Sequence, residues 1–232
     1  MNIAVKAAAL ALALAATPAL AQDKVKLVTI AELSGPGATA GTNWKSGIEL
    51  AVEEINAKGG ILGRKIDLVA YDTQTNPANA RAAVQRAIDE GTHAVLGPVY
   101  TGSIMASMQI AQRAEIAQLA AGDGTAYTAQ GNPFIFRTSL SQSAAMPKIA
   151  AYLKDEVKAK SVAVVWVNND FGKGGHEAIV KELKSRGITV SVDLSTEQGQ
   201  ADFAADAIKI KNANADAVFV YLNEEESARL LV

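Results

Sequence analysis

Two short loops in this chain carry residue types suited to binding a small zwitterion. Residues 97–103 (GPVYTGS) join a strand to a helix, so backbone N–H groups and the hydroxyls of Thr101 and Ser103 converge at a helix N-terminus, which favours a carboxylate. Residues 120–124 (AAGDG) end the next strand, and the carboxylate of Asp123 can pair with an ammonium group. Two ordinary strand-end turns would have the same composition. The loops therefore predict either an amino-acid site or two plain turns.

A glycine-rich stretch near the start of the chain imitates a dinucleotide-binding fingerprint. Gly35, Gly37 and Ala40 follow a strand and precede a helix, and Asp72 ends the next strand, where an acid could bind a ribose. That acid lies 37 residues after Gly35, whereas the fingerprint places it about 20 residues on. The glycines also come too late after the strand to form its tight turn. The spacing therefore disfavours a nucleotide site.

The remaining motifs do not form a catalytic constellation. The sequence contains no phosphate-binding P-loop, no Gly-x-Ser-x-Gly elbow and no His-Glu-x-x-His pair. His93 and His176 fall on different predicted units, and the three acids at residues 224–226 suit the positive end of a helix dipole. We therefore predict a protein that is not an enzyme and that has no cofactor and no metal.

Composition narrows the class of protein further. The chain has 232 residues, no cysteine, and 22 basic against 24 acidic side chains, for a net charge of -2. The lack of cysteine excludes a disulfide scaffold, a thiolate zinc site and a cysteine nucleophile. The near-neutral charge gives no global electrostatic reason to bind nucleic acid.

The first 21 residues are typical of an export signal. Lys6 precedes an apolar run at residues 7–16, and Ala19 and Ala21 form an Ala-x-Ala cleavage site, so cleavage is predicted after Ala21. A membrane anchor is the alternative, but the apolar run is about half of the roughly 20 residues needed to span a bilayer. The predicted location of the mature protein is the periplasm.

Strands and helices alternate along the rest of the chain, which predicts an α/β protein with parallel sheets covered by helices on both faces. The β-branched and apolar runs predict strands at residues 25–30, 65–71, 94–96, 116–119, 134–137, 161–167, 189–194 and 217–221. Helical spacing and capping residues predict helices at residues 44–55, from 77, at 103–114, from 142, at 174–186, 203–211 and 224–231. The polar stretch at residues 138–143 is the predicted boundary between two groups of these units.

Several stretches, taken in order, resemble a known family. They are LSGP at residues 33–36, GIELAVEEINAKGGI at 47–61, GP at 97–98 with TG at 101–102, NDFG at 169–172 and DF at 202–203. The chain is identified by them as a member of the periplasmic solute-binding proteins of ABC importers, in the branched-chain amino-acid (leucine-binding protein-like, type I) group.

This resemblance implies two doubly wound parallel-sheet lobes joined by a hinge, with a ligand held in the cleft between them. The implied lobes are residues 22–140 and 141–232. It further implies delivery of the ligand to an ABC permease in the inner membrane by a protein that is a monomer when full length. No nucleic-acid partner is expected, in line with the near-neutral charge. The resemblance and the two loops described above together predict the ligand-binding residues. They are Tyr100, Thr101, Gly102, Ser103, Ala121, Gly122, Asp123, Phe171 and Asn223.

Three positions depart from the family pattern. Asp123 places a charge where the family has a hydroxyl, Ala40 stands where an aromatic ring is common, and Asn223 is polar near the position of an aromatic. These departures disfavour a ligand that is purely aliphatic. Family members also continue well beyond this length, so we expect the chain to be truncated, with both lobes incomplete.

The leading hypothesis is therefore a binding protein that captures an amino acid or a related small carboxylate or amide for import. The ligand-binding sensory domain of a receptor shares this fold and is the alternative function. A truncated fragment that does not bind is a further alternative, since missing strands would leave sheet edges exposed. An exported enzyme is disfavoured by the lack of acid/base or nucleophile pairs.

Overall fold

The computed structural model describes residues 24–231. The predicted export signal, residues 1–21, lies outside this range. Within the described residues, none of the helices has the length and apolar character needed to cross a membrane.

Between residues 24 and 231, eight strands form two parallel sheets. The first sheet has the order β2-β1-β3-β4-β5, with β1 (Val25–Ala31), β2 (Ile66–Asp72), β3 (Ala94–Leu96), β4 (Ala117–Ala120) and β5 (Ile135–Arg137). The second has the order β7-β6-β8, with β6 (Ser161–Val167), β7 (Thr189–Thr196) and β8 (Ala217–Tyr221). The predicted α/β class with parallel sheets is confirmed.

Seven helices connect these strands within the described residues. They are α1 (Ala38–Ala57), α2 (Pro77–Asp89), α3 (Thr101–Arg113), α4 (Gln142–Asp155), α5 (Asp170–Ser185), α6 (Ala204–Asn212) and α7 (Glu224–Leu231). The start of α2 follows the predicted chemistry: the Asn76 side chain accepts a hydrogen bond from the N–H of Ala78, and Pro77 occupies the first helical position.

Strand β6 shows how the second sheet is held. Val162 and Val164 pack on one face in a core that includes Ile179 of α5. Val165 and Val167 pack on the other face with Phe203, beside α6. Because successive side chains of a strand point to opposite faces, this apolar run is buried on both sides, as its sequence predicted.

Three helices begin earlier than their sequence indicates. Helices α1, α3 and α5 start at residues 38, 101 and 170, not at 44, 103 and 174. In α5 the Asn169 side chain accepts from the N–H of Gly172, which caps the helix at that point. Gly175 lies inside the helix because it faces Tyr221, whose ring is 2.0 Å from where a Cβ would stand. The glycines therefore do not mark the start of the helix, because close packing requires them within it.

The chain passes from the first sheet to the second between β5 and α4. The N–H of Gln142, the first residue of α4, donates to the carbonyl of Asp123 at 2.9 Å, and the N–H of Ser143 donates to the hydroxyl of Thr125 at 3.2 Å. These bonds tie the loop after β4 to the start of the second group of elements. The predicted lobe limits, residues 22–140 and 141–232, stay a prediction.

Candidate functional site

One cleft lies at the carboxyl ends of strands from both sheets. It is open to solvent, with an empty volume of about 450 Å³ that includes part of this open space, and it is lined by Val99, Tyr100, Thr101, Ala121, Gly122, Asp123, Phe171, Leu222, Asn223 and Glu224. These residues follow β3, β4, β6 and β8 in the chain. Open parallel sheets bind their ligands at this edge, so the cleft is the candidate functional site.

Seven of the nine residues predicted from the sequence meet in this cleft: Tyr100, Thr101, Ala121, Gly122, Asp123, Phe171 and Asn223. The other two, Gly102 and Ser103, line a neighbouring cavity that is also open to solvent. Tyr100, Thr101 and Phe171 line both spaces, so the two cavities adjoin. A role in ligand binding for each residue stays a prediction.

The N-terminus of α3 opens onto the cleft without a side-chain cap. Tyr100 is its N-cap residue, and its side chain makes no capping bond. Thr101 is 3% exposed, and its Oγ1 has no hydrogen-bond partner among the described residues. An unpaired buried hydroxyl costs about 1–3 kcal/mol. The uncapped helix end and this hydroxyl together offer donors to a ligand carboxylate.

The Ser103 side chain has a hydrogen-bond partner in the part of the chain that forms the first sheet. Its hydroxyl hydrogen-bonds to the buried carboxyl of Glu32, which also accepts from the N–H groups of Val99 at 3.1 Å and Tyr100 at 3.4 Å. Burial raises the pKa of Glu32, against the lowering effect of these bonds. Through these hydrogen bonds Glu32 holds the loop before α3 in place. Sequence reasoning missed it because nothing near it in the chain indicates the contact.

The loop that carries Asp123 is held by Arg137 of β5. The guanidinium donates to the carbonyls of Gly122 and Gly124 and lies over the ring of Tyr127, 4.2 Å from its centroid. The Tyr127 hydroxyl also donates to the Gly122 carbonyl. The Gly122 and Gly124 carbonyls are therefore occupied. Among the described residues no donor reaches the carbonyl of Ala121, which is left for a ligand.

Asp123 lies half-buried on the wall of the cleft. Burial raises the pKa of its carboxyl, although the nearby Ser139 hydroxyl and the charge of Arg137 act in the opposite direction. Arg137 makes no ion pair with Asp123, and its N–H groups donate instead to the carbonyls of Gly122 and Gly124. The carboxylate is therefore available to a positively charged ligand group.

We expect Arg137→Lys to lower the free energy of unfolding by about 2 kcal/mol, because a lysine cannot reach two carbonyls and a ring at once. Urea denaturation followed by circular dichroism measures this change. Arg113→Lys is the matched control, since Arg113 is exposed at the end of α3. A loss of equal size in both variants would contradict the role given to Arg137.

Phe171 lines the cleft from the second sheet and is held by a second aromatic ring and a buried amide. Phe171 stacks on Tyr221 with ring centroids 4.2 Å apart. Gln142 is buried, and its Nε2 donates to the Phe171 carbonyl at 2.7 Å and to the Tyr221 hydroxyl at 3.1 Å. Neither Gln142 nor Tyr221 was predicted, because only the fold brings α4 and β8 beside Phe171.

Asn223 is fixed in place by Glu226. Its Nδ2 donates to the Glu226 carboxylate at 2.9 Å, and its backbone N–H donates to the same oxygen at 3.3 Å. This is one half of a capping box at the start of α7. Glu226 is buried and also accepts from the N–H of Gly199. The three acids at residues 224–226 lie in the first turn of α7, as the sequence predicted, and Glu226 additionally caps the backbone N–H groups of Asn223 and Gly199.

The other polar motifs have structural roles. The carboxylate of Asp72 accepts from the N–H groups of Leu33 and Ser34 and from the Ser34 hydroxyl, so it anchors the glycine-rich loop. His176 stacks on Trp166 and hydrogen-bonds to Asp193 at 2.7 Å. No cluster of metal-ligating side chains occurs within residues 24–231.

The sequence and the fold both match known binding proteins. A family model described as periplasmic binding protein matches residues 24–231. The Leu/Ile/Val-binding protein of Escherichia coli (strain K12) is 32% identical over 202 residues, which cover 87% of this chain and 55% of that protein.

Two solved structures show the same fold with ligands bound. The branched-chain amino acid transporter substrate binding protein LivJ from Streptococcus pneumoniae, in complex with isoleucine, superposes with a TM-score of 0.77 at 28% identity, covering 85% of this chain and 57% of that one. An ABC transporter solute binding protein from R. palustris, in complex with 4-hydroxybenzoate, has a TM-score of 0.75 at 26% identity and covers 86% and 54%.

The chain spans about half the length of the curated relatives it matches. Its match to the family model nevertheless extends over all the described residues, and its two parallel sheets match type I periplasmic binding protein structures. The members of this family are substrate-binding transport proteins and not enzymes. This chain therefore belongs to the periplasmic binding protein family.

Proposed function

We propose that this protein is the extracytoplasmic ligand-binding component of an ABC transporter and captures an amino acid or a related small carboxylate or amide. The observation that carries the proposal is a single cleft at the carboxyl ends of four strands from two sheets, with the unpartnered Thr101 hydroxyl in its wall. Relatives of this chain are named for binding leucine, isoleucine and valine.

Each charged end of an amino acid has a matching partner in the cleft. The carboxylate fits the N-terminus of α3, where Thr101 Oγ1 and the first N–H groups donate. The ammonium group fits between the Asp123 carboxylate and the Ala121 carbonyl. Phe171 and Asn223 contact the ligand from the second sheet.

Capture works through a shift in the population of open and closed forms. Residues 22–140 and 141–232 act as the two lobes, with the hinge at the passage from β5 to α4. A ligand that contacts both lobes stabilises the closed form by the contacts it makes only there. The closed form then delivers the ligand to an ABC permease in the inner membrane, and the protein acts as a monomer in the periplasm after removal of residues 1–21.

Isothermal titration tests this proposal. The purified protein is titrated with amino acids, small aromatic acids, amides and urea. We expect saturable binding of at least one of these solutes at one site per chain. No binding of any of them would overturn the proposal.

The Thr101→Val variant distinguishes an effect on ligand affinity from an effect on the free energy of unfolding. Removing the hydroxyl deprives the ligand carboxylate of a hydrogen bond worth about 1.5–3 kcal/mol, so we expect affinity to fall by about 10- to 100-fold. The free energy of unfolding should stay constant or rise, because the hydroxyl has no partner among the described residues. Titration and a thermal melt measure the two effects. Loss of stability without loss of affinity would contradict this role of Thr101.

Binding of an ammonium group should depend on pH through Asp123. Burial raises the pKa of this carboxyl, so it takes up a proton at a higher pH than a solvated aspartate does. We therefore expect affinity for an amino acid to be full at neutral pH and to fall as the pH is lowered through that raised pKa. Titrations at a series of pH values measure this. The same acid-side fall in Asp123→Asn would show that another group is responsible.

A further inference from the structure

The cleft and the adjoining cavity are lined by acids without a compensating base. Asp123 and Glu224 line the first space and Asp170 lines the second, and no lysine, arginine or histidine lines either one. The two spaces join at Tyr100, Thr101 and Phe171. A ligand in this cleft therefore meets three carboxylates and no protein cation.

Two of these carboxylates have no protein partner. The Glu224 and Asp170 side chains are exposed and make no hydrogen bond or ion pair with any residue of the described part of the chain. Asp123 lies near Arg137, whose positive charge acts on it although the guanidinium N–H groups donate to the carbonyls of Gly122 and Gly124. The negative charge that no protein group offsets therefore belongs to Glu224 and Asp170.

Aromatic faces at the junction of the two spaces favour the same kind of ligand. Tyr100 and Phe171 line both cavities, and Phe171 is fixed by its stacking on Tyr221. The face of such a ring attracts a cation by about 0.5–2 kcal/mol. Both aromatic residues line the same two spaces as the three acids.

The surroundings of Tyr100 also indicate a negative electrostatic potential in the cleft. Its pKa is raised well above the ordinary value, first by burial and then by four carboxylates, those of Glu224, Glu226, Glu32 and Glu225. A negative potential at the phenol disfavours its ionisation for the same reason that it disfavours an anionic ligand.

We infer that the ligand is an amino acid with net positive charge, carrying a second cationic group besides its α-ammonium. This inference rests on the proposed function and names its substrate class. The unpartnered and buried Thr101 hydroxyl, with the α3 N-terminus, receives the single carboxylate. Asp123 receives the α-ammonium, and the second cation lies by Phe171 and Tyr100 within reach of Glu224 and Asp170.

A neutral aliphatic amino acid leaves two of the three carboxylates unpaired when the cleft closes around it. A monoanion such as an aromatic carboxylate brings like charge into the same space, which costs free energy. The charges that line the cleft therefore disfavour both neutral aliphatic amino acids and monoanions, without any steric clash.

Competitive titration with L-lysine, L-leucine, L-glutamate and 4-hydroxybenzoate tests the inference. We expect L-lysine to bind about tenfold or more tightly than L-leucine, and the two anions to bind weakest. Raising the salt concentration should shrink the preference, since partly exposed charges are screened.

Glu224→Gln identifies the source of the preference. We expect the ratio of lysine to leucine affinity to fall by about three- to fivefold in this variant. Glu177→Gln makes the same charge change at an exposed position of α5 away from the cleft, and the ratio should stay within about twofold of the unmodified protein. Circular dichroism confirms that both variants are folded.

The outcomes separate this inference from the proposed function. Binding of L-leucine or of an anion as tightly as L-lysine overturns the inference and leaves the proposed function standing. A ratio that changes equally in Glu224→Gln and Glu177→Gln overturns it as well. Absence of binding by every solute overturns both.

Discussion

Asp123→Asn should lower the affinity for an α-amino acid by about 30- to 100-fold. Asp123 is half-buried in the cleft wall and makes no ion pair with its neighbour Arg137, whose N–H groups donate to backbone carbonyls. Under the proposed function, the ligand's ammonium group pairs with this carboxylate. Removing one partner of such a hydrogen-bonded charge pair costs about 2–5 kcal/mol, and partial exposure places this site at the lower end of the range. Isothermal titration of both proteins measures the loss.

A deaminated ligand shows whether the lost free energy belongs to the ammonium group. 4-Methylpentanoate has the carbon skeleton of leucine without its amine, and it should bind Asp123→Asn at least as well as it binds the unmodified protein. Asp155→Asn, at the exposed end of α4, is the control for charge removal elsewhere. Equal losses for leucine and 4-methylpentanoate would contradict an Asp123–ammonium pair.

Gly172→Ala should be among the most damaging single substitutions for stability. Helix α5 begins so close to the end of β6 that a Cβ on Gly172 would lie 1.7 Å from the carbonyl oxygen of Val167. Overpacking usually costs about 1–3 kcal/mol, and a backbone atom cannot move aside as a side chain does, so we expect about 3 kcal/mol or more. The thermal midpoint should fall by about 6–12 °C, measured by circular dichroism.

Gly47→Ala is the matched control for this substitution. Gly47 also lies within a helix, but nothing is within 4 Å of its added Cβ. Because alanine is the better helix former, this variant should gain about 0.5–1 kcal/mol. Similar midpoints for the two variants would show that the close approach of α5 to β6 does not limit stability.

The position of the site could be predicted from the sequence because parallel strands share a carboxyl edge. The sequence predicts consecutive strands at residues 94–96 and 116–119, each followed by a loop, one with Thr101 and the other with Asp123. The structure pairs these strands in parallel as β3 and β4, so both loops lie at the same edge of the sheet. The continuous apolar run of β6 predicted a strand buried on both faces for a similar reason. These features depend on local pattern and on the geometry of one sheet.

The polar groups that hold the site together could not be predicted in this way. Arg137, Gln142, Glu32 and Glu226 act through partners that lie far away in the chain or that only the tertiary packing buries. An isolated glutamate in a sequence reads as solvated, since burial of a charge is rare without a partner. The packing supplies those partners, and the sequence pattern carries no sign of them.

The sequence places the start of α5 too late, because glycines within this helix are needed for close packing. Gly174 and Gly175 read as the beginning of a helix, although Asn169 caps it several residues earlier. Gln142 and Tyr221 press against these two glycines, so small residues are required within the helix. This packing brings Phe171, at the start of α5, to the cleft.

Hydrogen exchange with mass spectrometry tests most directly whether both sheets hold one ligand. The protein is labelled with and without saturating L-lysine, and in parallel with saturating L-leucine. We expect the bound solute to slow exchange together in peptides that cover residues 99–104 and 121–125 of the first sheet's loops and residues 170–173 and 222–226 of the second. Slowed exchange in the loops of only one sheet, or in none of these peptides while the solute is bound, would contradict a cleft shared by two lobes.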